Sequence, residues 1–253
     1  MPTELPIYVG GGCVRVSPAA SVRSPLGAFL EPPTTTTRFD FALTVAPLPA
    51  PPHGDLVFHE RHDLVFRLAP SRRSAIAHTD NSEGAFLAAL ELALQVALLD
   101  TGALLIHAAG GVVEGGGWLL PGPSGTGKST AAREAGFDRV LSDERIVVRV
   151  DGEGRSTLWG TPFWSTGRTM PLDPGGAPLA VLAQLEHATA FTSSSWPMDE
   201  ALTYLMESVA LYETGGAAVR AFDLASQVVM GARCLRVGFA RTGAWPLHGS
   251  RAA

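Results

Sequence analysis

Gly122-Pro123-Ser124-Gly125-Thr126-Gly127-Lys128-Ser129 is the stretch on which the reading of this chain turns. It satisfies G-x-x-x-x-G-K-[ST] at every position, and its flanks supply the context that the pattern needs. Ahead of it, Trp118-Leu119-Leu120 reads as a strand; behind it, Ser129 opens a short helix that ends near Gly136. Successive backbone N–H groups of such a loop converge on phosphate oxygens, and the helix N-terminus adds a favourable dipole. The residues expected around a nucleoside triphosphate are therefore Gly122, Pro123, Ser124, Gly125, Thr126, Gly127, Lys128, Ser129 and Thr130. Lys128 is expected to reach the β- and γ-phosphates, and Ser129 to offer its hydroxyl to Mg2+. Composition supports the choice of Lys128: among 19 lysine and arginine residues it is the single lysine. A compact ammonium reaches between phosphate oxygens where a planar guanidinium fits poorly. As a ligand contact, Lys128 is expected to support no core.

Working outward, Ala103-Leu104-Leu105-Ile106-His107-Ala108-Ala109 reads as one buried strand. Val112-Val113-Glu114 and Trp118-Leu119-Leu120 form a hairpin around Gly115-Gly116-Gly117, which carries His107 alongside the glycine-rich loop. Val140-Leu141 leads to Ser142-Asp143-Glu144, and residues 146–150 form another strand. One carboxylate of Asp143 and Glu144 can hold Mg2+ directly or through water while its neighbour accepts a proton from an attacking hydroxyl. The competing reading is a solvated acidic turn capped by Arg145. For His107, a satisfied core histidine weighs against an active-site role. Leu158-Trp159 precedes the loop 160–169, whose Phe163, Trp164 and Arg168 are candidates for the acceptor wall; aromatics tucked into the core are the bland alternative. Residues 179–185 look like a core strand, 198–211 helical, and 234–239 a last strand with alternating faces.

These motifs resemble the HPr kinase/phosphorylase superfamily over about sixty residues, from Ala103 to Phe163. The likeness rests on Ile106-His107-Ala108-Ala109-Gly110, the hairpin, the loop through Thr130, and Leu141-Ser142-Asp143-Glu144. The resemblance implies Lys128 and Ser129 for phosphate and metal, Asp143 as the acid/base near the acceptor hydroxyl, Glu144 as a metal ligand, and His107 as an active-site partner. The Gly160-Thr161-Pro162-Phe163 segment looks like stand-alone HPr kinase-like proteins of bacterial gene clusters, some of which phosphorylate peptides. The chain departs from the family at Glu144, where Asp is usual, and at Thr130, where HPr kinases proper usually have Glu.

Residues 1–80 read as strand-rich, with β-like runs at Ile7-Tyr8-Val9, Val14-Arg15-Val16, 39–43 and 64–68. Pro-rich 47–52 and threonine-rich 34–37 read as loops. Asn81-Ser82-Glu83 opens a helix to about Leu99, with an apolar stripe at Phe86, Leu87, Leu90, Leu94 and Leu98. The expected organisation is a β-rich region over 1–100 ending in a helix, then a nucleotide-binding domain over 101–253. Its expected fold class is α/β, an HPr kinase-like P-loop core with a mixed sheet.

A hydrophobic fraction of 46% against 17% charged supports a sizeable core. The formal charge of −5 argues against nucleic acid, whose phosphates call for clustered Lys and Arg. Two cysteines, Cys13 and Cys234, form no metal spacing, and the most apolar run falls short of the ~20 residues of a membrane span. With no basic, apolar leader at the start, a cytoplasmic setting is expected. The favoured activity is transfer of the γ-phosphoryl of ATP-Mg to a hydroxyl, of a Ser or Thr in a protein or peptide or of a small molecule. A non-catalytic ATP-binding regulator is the alternative, and homo-oligomerisation is left open. A motor-type ATPase lacks its signature here. A GTPase would need an N-K-x-D segment, and the single lysine is already placed.

Overall fold

Ser82, extended and followed by an acidic first turn, stops one segment and starts a helix: its Oγ accepts a hydrogen bond from the backbone N–H of Ala85 at 3.1 Å. The computed structural model describes residues 4–18, 26–31, 39–48, 57–165, 172–211 and 216–240. It divides after Thr101 into two compact units, Met1–Thr101 and Gly102–Ala253.

The first unit contains strands β1 (Leu5–Val9), β2 (Gly12–Ser17), β3 (Asp40–Pro47), β4 (Val57–Arg61), β5 (Leu64–Leu68) and β6 (Ser74–Thr79), then helix α1 (Glu83–Leu99). They form one mixed sheet in the order β1-β2-β3-β6-β5-β4, parallel only across β2-β3 and β3-β6. Helix α1 packs on β2, β3, β5 and β6. Its burial exceeds the expected stripe: residues 92–99 are buried without a break. A helix apolar all round is enclosed rather than half-exposed. Strands β4 and β6 lie outside the sequence-based set, because their polar residues (His59, Glu60, Ser74, His78) blur the apolar signal. The threonine-rich loop and residues 49–52 of the Pro-rich loop fall outside the described residues.

The second unit contains β7 (Ala103–Ile106), β8 (Ala108–Val113), β9 (Gly116–Pro121), α2 (Lys128–Glu134), β10 (Arg139–Ser142), β11 (Ile146–Val150), β12 (Ser156–Trp159), β13 (Gly176–His187), β14 (Thr192–Ser195), α3 (Met198–Ser208), α4 (Gly216–Gly231) and β15 (Arg233–Phe239). The strands run β10-β8-β9-β13-β12-β11-β7, with β15 on β13 and β14 on β15. Only β9-β13 and β13-β15 are parallel. This is an α/β architecture on a mixed sheet. Among the described residues no helix is long and apolar enough to cross a membrane.

Several expectations need correction. The single strand expected over 103–109 is two strands broken at His107. The first pairs with β11 and the second with β9 and β10, so the backbone changes partners at that residue. The hairpin turn is Glu114-Gly115, both at positive φ (49° and 81°), while Gly116 and Gly117 already belong to β9. Two left-handed residues match the twist of the flanking strands, which a run of three glycines hides from sequence reading. The helix expected to Leu211 stops at Ser208. In β15 the faces do not alternate: Cys234, Leu235, Val237 and Phe239 are all buried. One face joins Trp118, Leu120, Val181, Ala183 and Leu185 under α2, and on the other Cys234 packs against the end of α4. Alanines 131, 132 and 135 form the sheet side of α2, small enough to let the glycine-rich loop approach the sheet closely.

Candidate functional site

The two strand breaks bring the chemistry together. Ile146 pairs with Ile106 and Ser142 with Gly110, so the turn Asp143-Glu144-Arg145 lies beside the break at His107. His107 is held there by its backbone. Its N–H donates to Ser208 O at 2.7 Å, and its carbonyl accepts from Gly122 N at 3.4 Å. The first residue of the glycine-rich loop is thereby fixed next to the histidine, as the hairpin reading expected. Ser142 ties the acidic turn: its Oγ accepts from the N–H groups of Glu144 (3.3 Å) and Arg145 (3.2 Å) and donates to Phe163 O (3.1 Å). Thr161, fully buried, donates to Arg145 O and so pins the loop after β12 onto the same turn.

Within the glycine-rich loop, Thr126 Oγ1 donates to Pro123 O at 3.0 Å. Lys128 is 5% exposed, and its Nζ donates to Gly122 O (2.8 Å) and Pro123 O (2.9 Å). These two bonds tie the glycine-rich loop to itself. Burial pushes its ammonium below the ordinary lysine range, opposed by the nearby Glu144 and Asp143 charges. Gly127 sits at φ +94°, and a Cβ there would come within 2.3 Å of the Phe239 ring. Gly127→Ala therefore combines a disfavoured backbone with a steric clash. We expect it to cost more than about 1 kcal/mol in thermal unfolding, and more than Ser124→Ala does.

A cleft of about 770 Å³ opens over this loop. Its walls include Ser124, Gly125, Gly127 and residues 128–130, together with Glu144, Ser165, His187 and Phe239. Asp143 is buried, and both its oxygens are engaged by one residue: Ser165 N–H reaches Oδ1 at 3.0 Å and Ser165 Oγ reaches Oδ2 at 2.5 Å. Ser165 Oγ is in turn 2.7 Å from Ser129 Oγ. A continuous chain thus runs from the carboxylate of Asp143 through Ser165 to the hydroxyl at the start of α2.

Glu144 stands at the cleft with His107 behind it. His107 Nε2 lies 3.4 Å from Glu144 Oε1, and Arg145 Nη1 donates to the same oxygen at 3.0 Å. The hydrogen bond from His107 holds the Glu144 carboxyl below the usual carboxylate range, helped by the charges of His107, Arg145 and Lys128 against the effect of burial. A carboxylate with a lowered folded-state pKa adds stability that is present above its unfolded value and lost as pH falls through the lowered one. Acid titration of Glu144→Gln, followed by circular dichroism, is expected to show a shallower loss of stability below pH ~4.5 than the parent chain.

No model of a known protein family matches the chain, and no curated protein is similar to it.

The structure thus brings Lys128, Ser129 and Glu144 to one cleft, joins Asp143 to it through Ser165, and joins His107 through Glu144. Among the described residues no three His, Cys, Asp or Glu side chains cluster to hold a metal alone. The Ser129 hydroxyl with the carboxylates of Asp143 and Glu144 is an all-oxygen donor set, which suits a hard cation that keeps phosphates and waters as its other ligands. Of the residues expected to wall an acceptor, Phe163 is buried in the core, Trp164 is half-buried, and Arg168 lies outside the described residues. Sequence reading missed Ser165, His187 and Phe239. Nothing local marks them, since Ser165 meets Asp143 across 22 positions.

Proposed function

We propose that this chain is an ATP-dependent phosphotransferase of the HPr kinase-like P-loop type, acting on a hydroxyl of a protein, a peptide or a small molecule. One observation carries the reading: a loop with the full phosphate-binding pattern opens on one cleft with Glu144, and Asp143 is joined to that cleft through Ser165. A cleft of about 770 Å³ lies within the roughly 300–1,000 Å³ common for small-molecule sites.

On this reading the loop's N–H groups and the start of α2 bind the triphosphate, and Lys128 exchanges Gly122 O and Pro123 O for β- and γ-phosphate oxygens. Ser129 and Glu144, with Asp143 at the margin, would hold Mg2+, which when bound neutralises charge on the phosphates. Asp143 accepts the proton of the attacking hydroxyl. It already accepts one short hydrogen bond from a serine, the geometry that a base needs. His107 and Arg145 orient Glu144 and keep it ionised.

A nucleotide-binding regulator without catalysis is the second reading, favoured by the capture of both Asp143 oxygens within the chain. The deciding experiment incubates the protein with γ-labelled ATP, Mg2+ and the products of its neighbouring genes, beside calorimetric ATP titration. Label on an acceptor supports the kinase. Binding with no transfer to any acceptor supports the regulator, and the absence of ATP binding removes both.

A further inference from the structure

We propose that Ser165 is itself a phosphoryl acceptor, phosphorylated within the chain by the nucleotide bound at the glycine-rich loop. This rests on the phosphotransferase reading above and assigns that site a first, internal substrate.

The case is geometric. An acceptor serine needs its hydroxyl hydrogen-bonded to a base, held close to the γ-phosphate, and fixed in place. Ser165 Oγ donates to Asp143 Oδ2 at 2.5 Å, so its proton already lies on the path to the carboxylate. The same Oγ is 2.7 Å from Ser129 Oγ, the hydroxyl at the head of α2, and Ser165 lines the cleft with Lys128 and Ser129. Its backbone is fixed independently: Ser165 N–H bonds to Asp143 Oδ1 at 3.0 Å, while Phe163 just before it is buried and its carbonyl is held by Ser142. A serine serving only to satisfy Asp143 would have no need to touch Ser129 as well. Holding the nucleophile this way converts a two-body encounter into a one-body step.

In the step, Ser165 Oγ forms a bond to the γ-phosphorus as the bond from that phosphorus to the β,γ-bridging oxygen breaks. The proton passes to Asp143, and the nucleoside diphosphate leaves with the electron pair. The product places a phosphate against Asp143 and Glu144, where like charges repel it. The phosphoserine is therefore expected to leave the carboxylate, and the modified chain to transfer less to other acceptors.

The test is incubation of the full chain with γ-labelled ATP and Mg2+ and no added acceptor, followed by peptide mapping and by a dilution series. ATP binding is measured in parallel by calorimetry. The expected result is label on the peptide bearing Ser165, at a rate per molecule that does not change on dilution. Ser165→Ala should lose the label, and Ser165→Thr should retain it. Three results would overturn the proposal while leaving nucleotide binding intact: no label on a chain that binds ATP-Mg, label at another residue, or labelling that accelerates with protein concentration. If Ser165→Ala only weakens Mg2+ dependence, and the parent chain stays unlabelled, Ser165 is a metal ligand and not an acceptor. A chain that binds no ATP at all sinks the underlying phosphotransferase reading as well, which separates the two failures.

Discussion

Lys128→Ala is expected to lower phosphoryl transfer by about 10³-fold or more, the upper range for removing one charge-stabilising donor from a preorganised site. The substitution removes the single ammonium of the cleft. No other lysine exists to replace it. Its structural cost is not zero, since Gly122 O and Pro123 O each lose a charged donor. That loss is on the order of 1–3 kcal/mol, small against the ~5–15 kcal/mol of an ordinary domain, so the chain should still fold. Lys128→Arg is expected to fail almost as badly, because a planar guanidinium must enter a pocket that leaves the lysine 5% exposed. Labelled-ATP turnover, with circular dichroism to establish folding, is the measurement. Unchanged turnover in a folded Lys128→Ala protein would falsify the assignment of the loop to phosphate.

Asp143→Asn should leave ATP binding largely in place and reduce transfer by ~10²-fold or more, the usual scale for a lost general base. The amide keeps the shape of the carboxylate and can still accept from Ser165 through its oxygen, but it takes up no proton. Its NH2 group must then face one of the two Ser165 donors, so a local rearrangement near Ser129 accompanies the loss. Glu144→Gln is the comparison: it is expected to raise the Mg2+ concentration needed for half-maximal rate, with a smaller fall in the rate at saturation. Rates measured across a Mg2+ series for both variants decide the roles. Should Asp143→Asn lose metal affinity alone, the assignments of the two acids must be exchanged.

Chain-local physics was legible before any coordinates. The cap at Ser82, the strand runs of β1, β2, β3 and β5, and the strand, glycine loop and short helix around Lys128 all announce themselves within a few neighbouring residues. Helix α4 did not. It begins at Gly216 and buries a stripe of alanines and valines (Ala217, Ala221, Ala225, Val228 and Val229) too small to stand out from the background of an alanine-rich chain. Strand β14, Thr-Ser-Ser-Ser and exposed throughout, exists only because β15 offers it a ladder of hydrogen bonds.

By itself, then, the sequence determined the spacing of Lys128 and Ser129 in their glycine frame and of the acidic pair that follows, because each depends on order within a single loop. Only the tertiary structure decided how these groups meet. The change of strand partner at His107 sets that histidine beside Glu144, and the anchoring of the loop after β12 by Ser142 and Thr161 delivers Ser165 to Asp143 and Ser129. Such contacts span 16 to 37 positions of chain, and no local propensity encodes them. They are settled by which strands pair and which buried polar groups must find a partner once water is excluded.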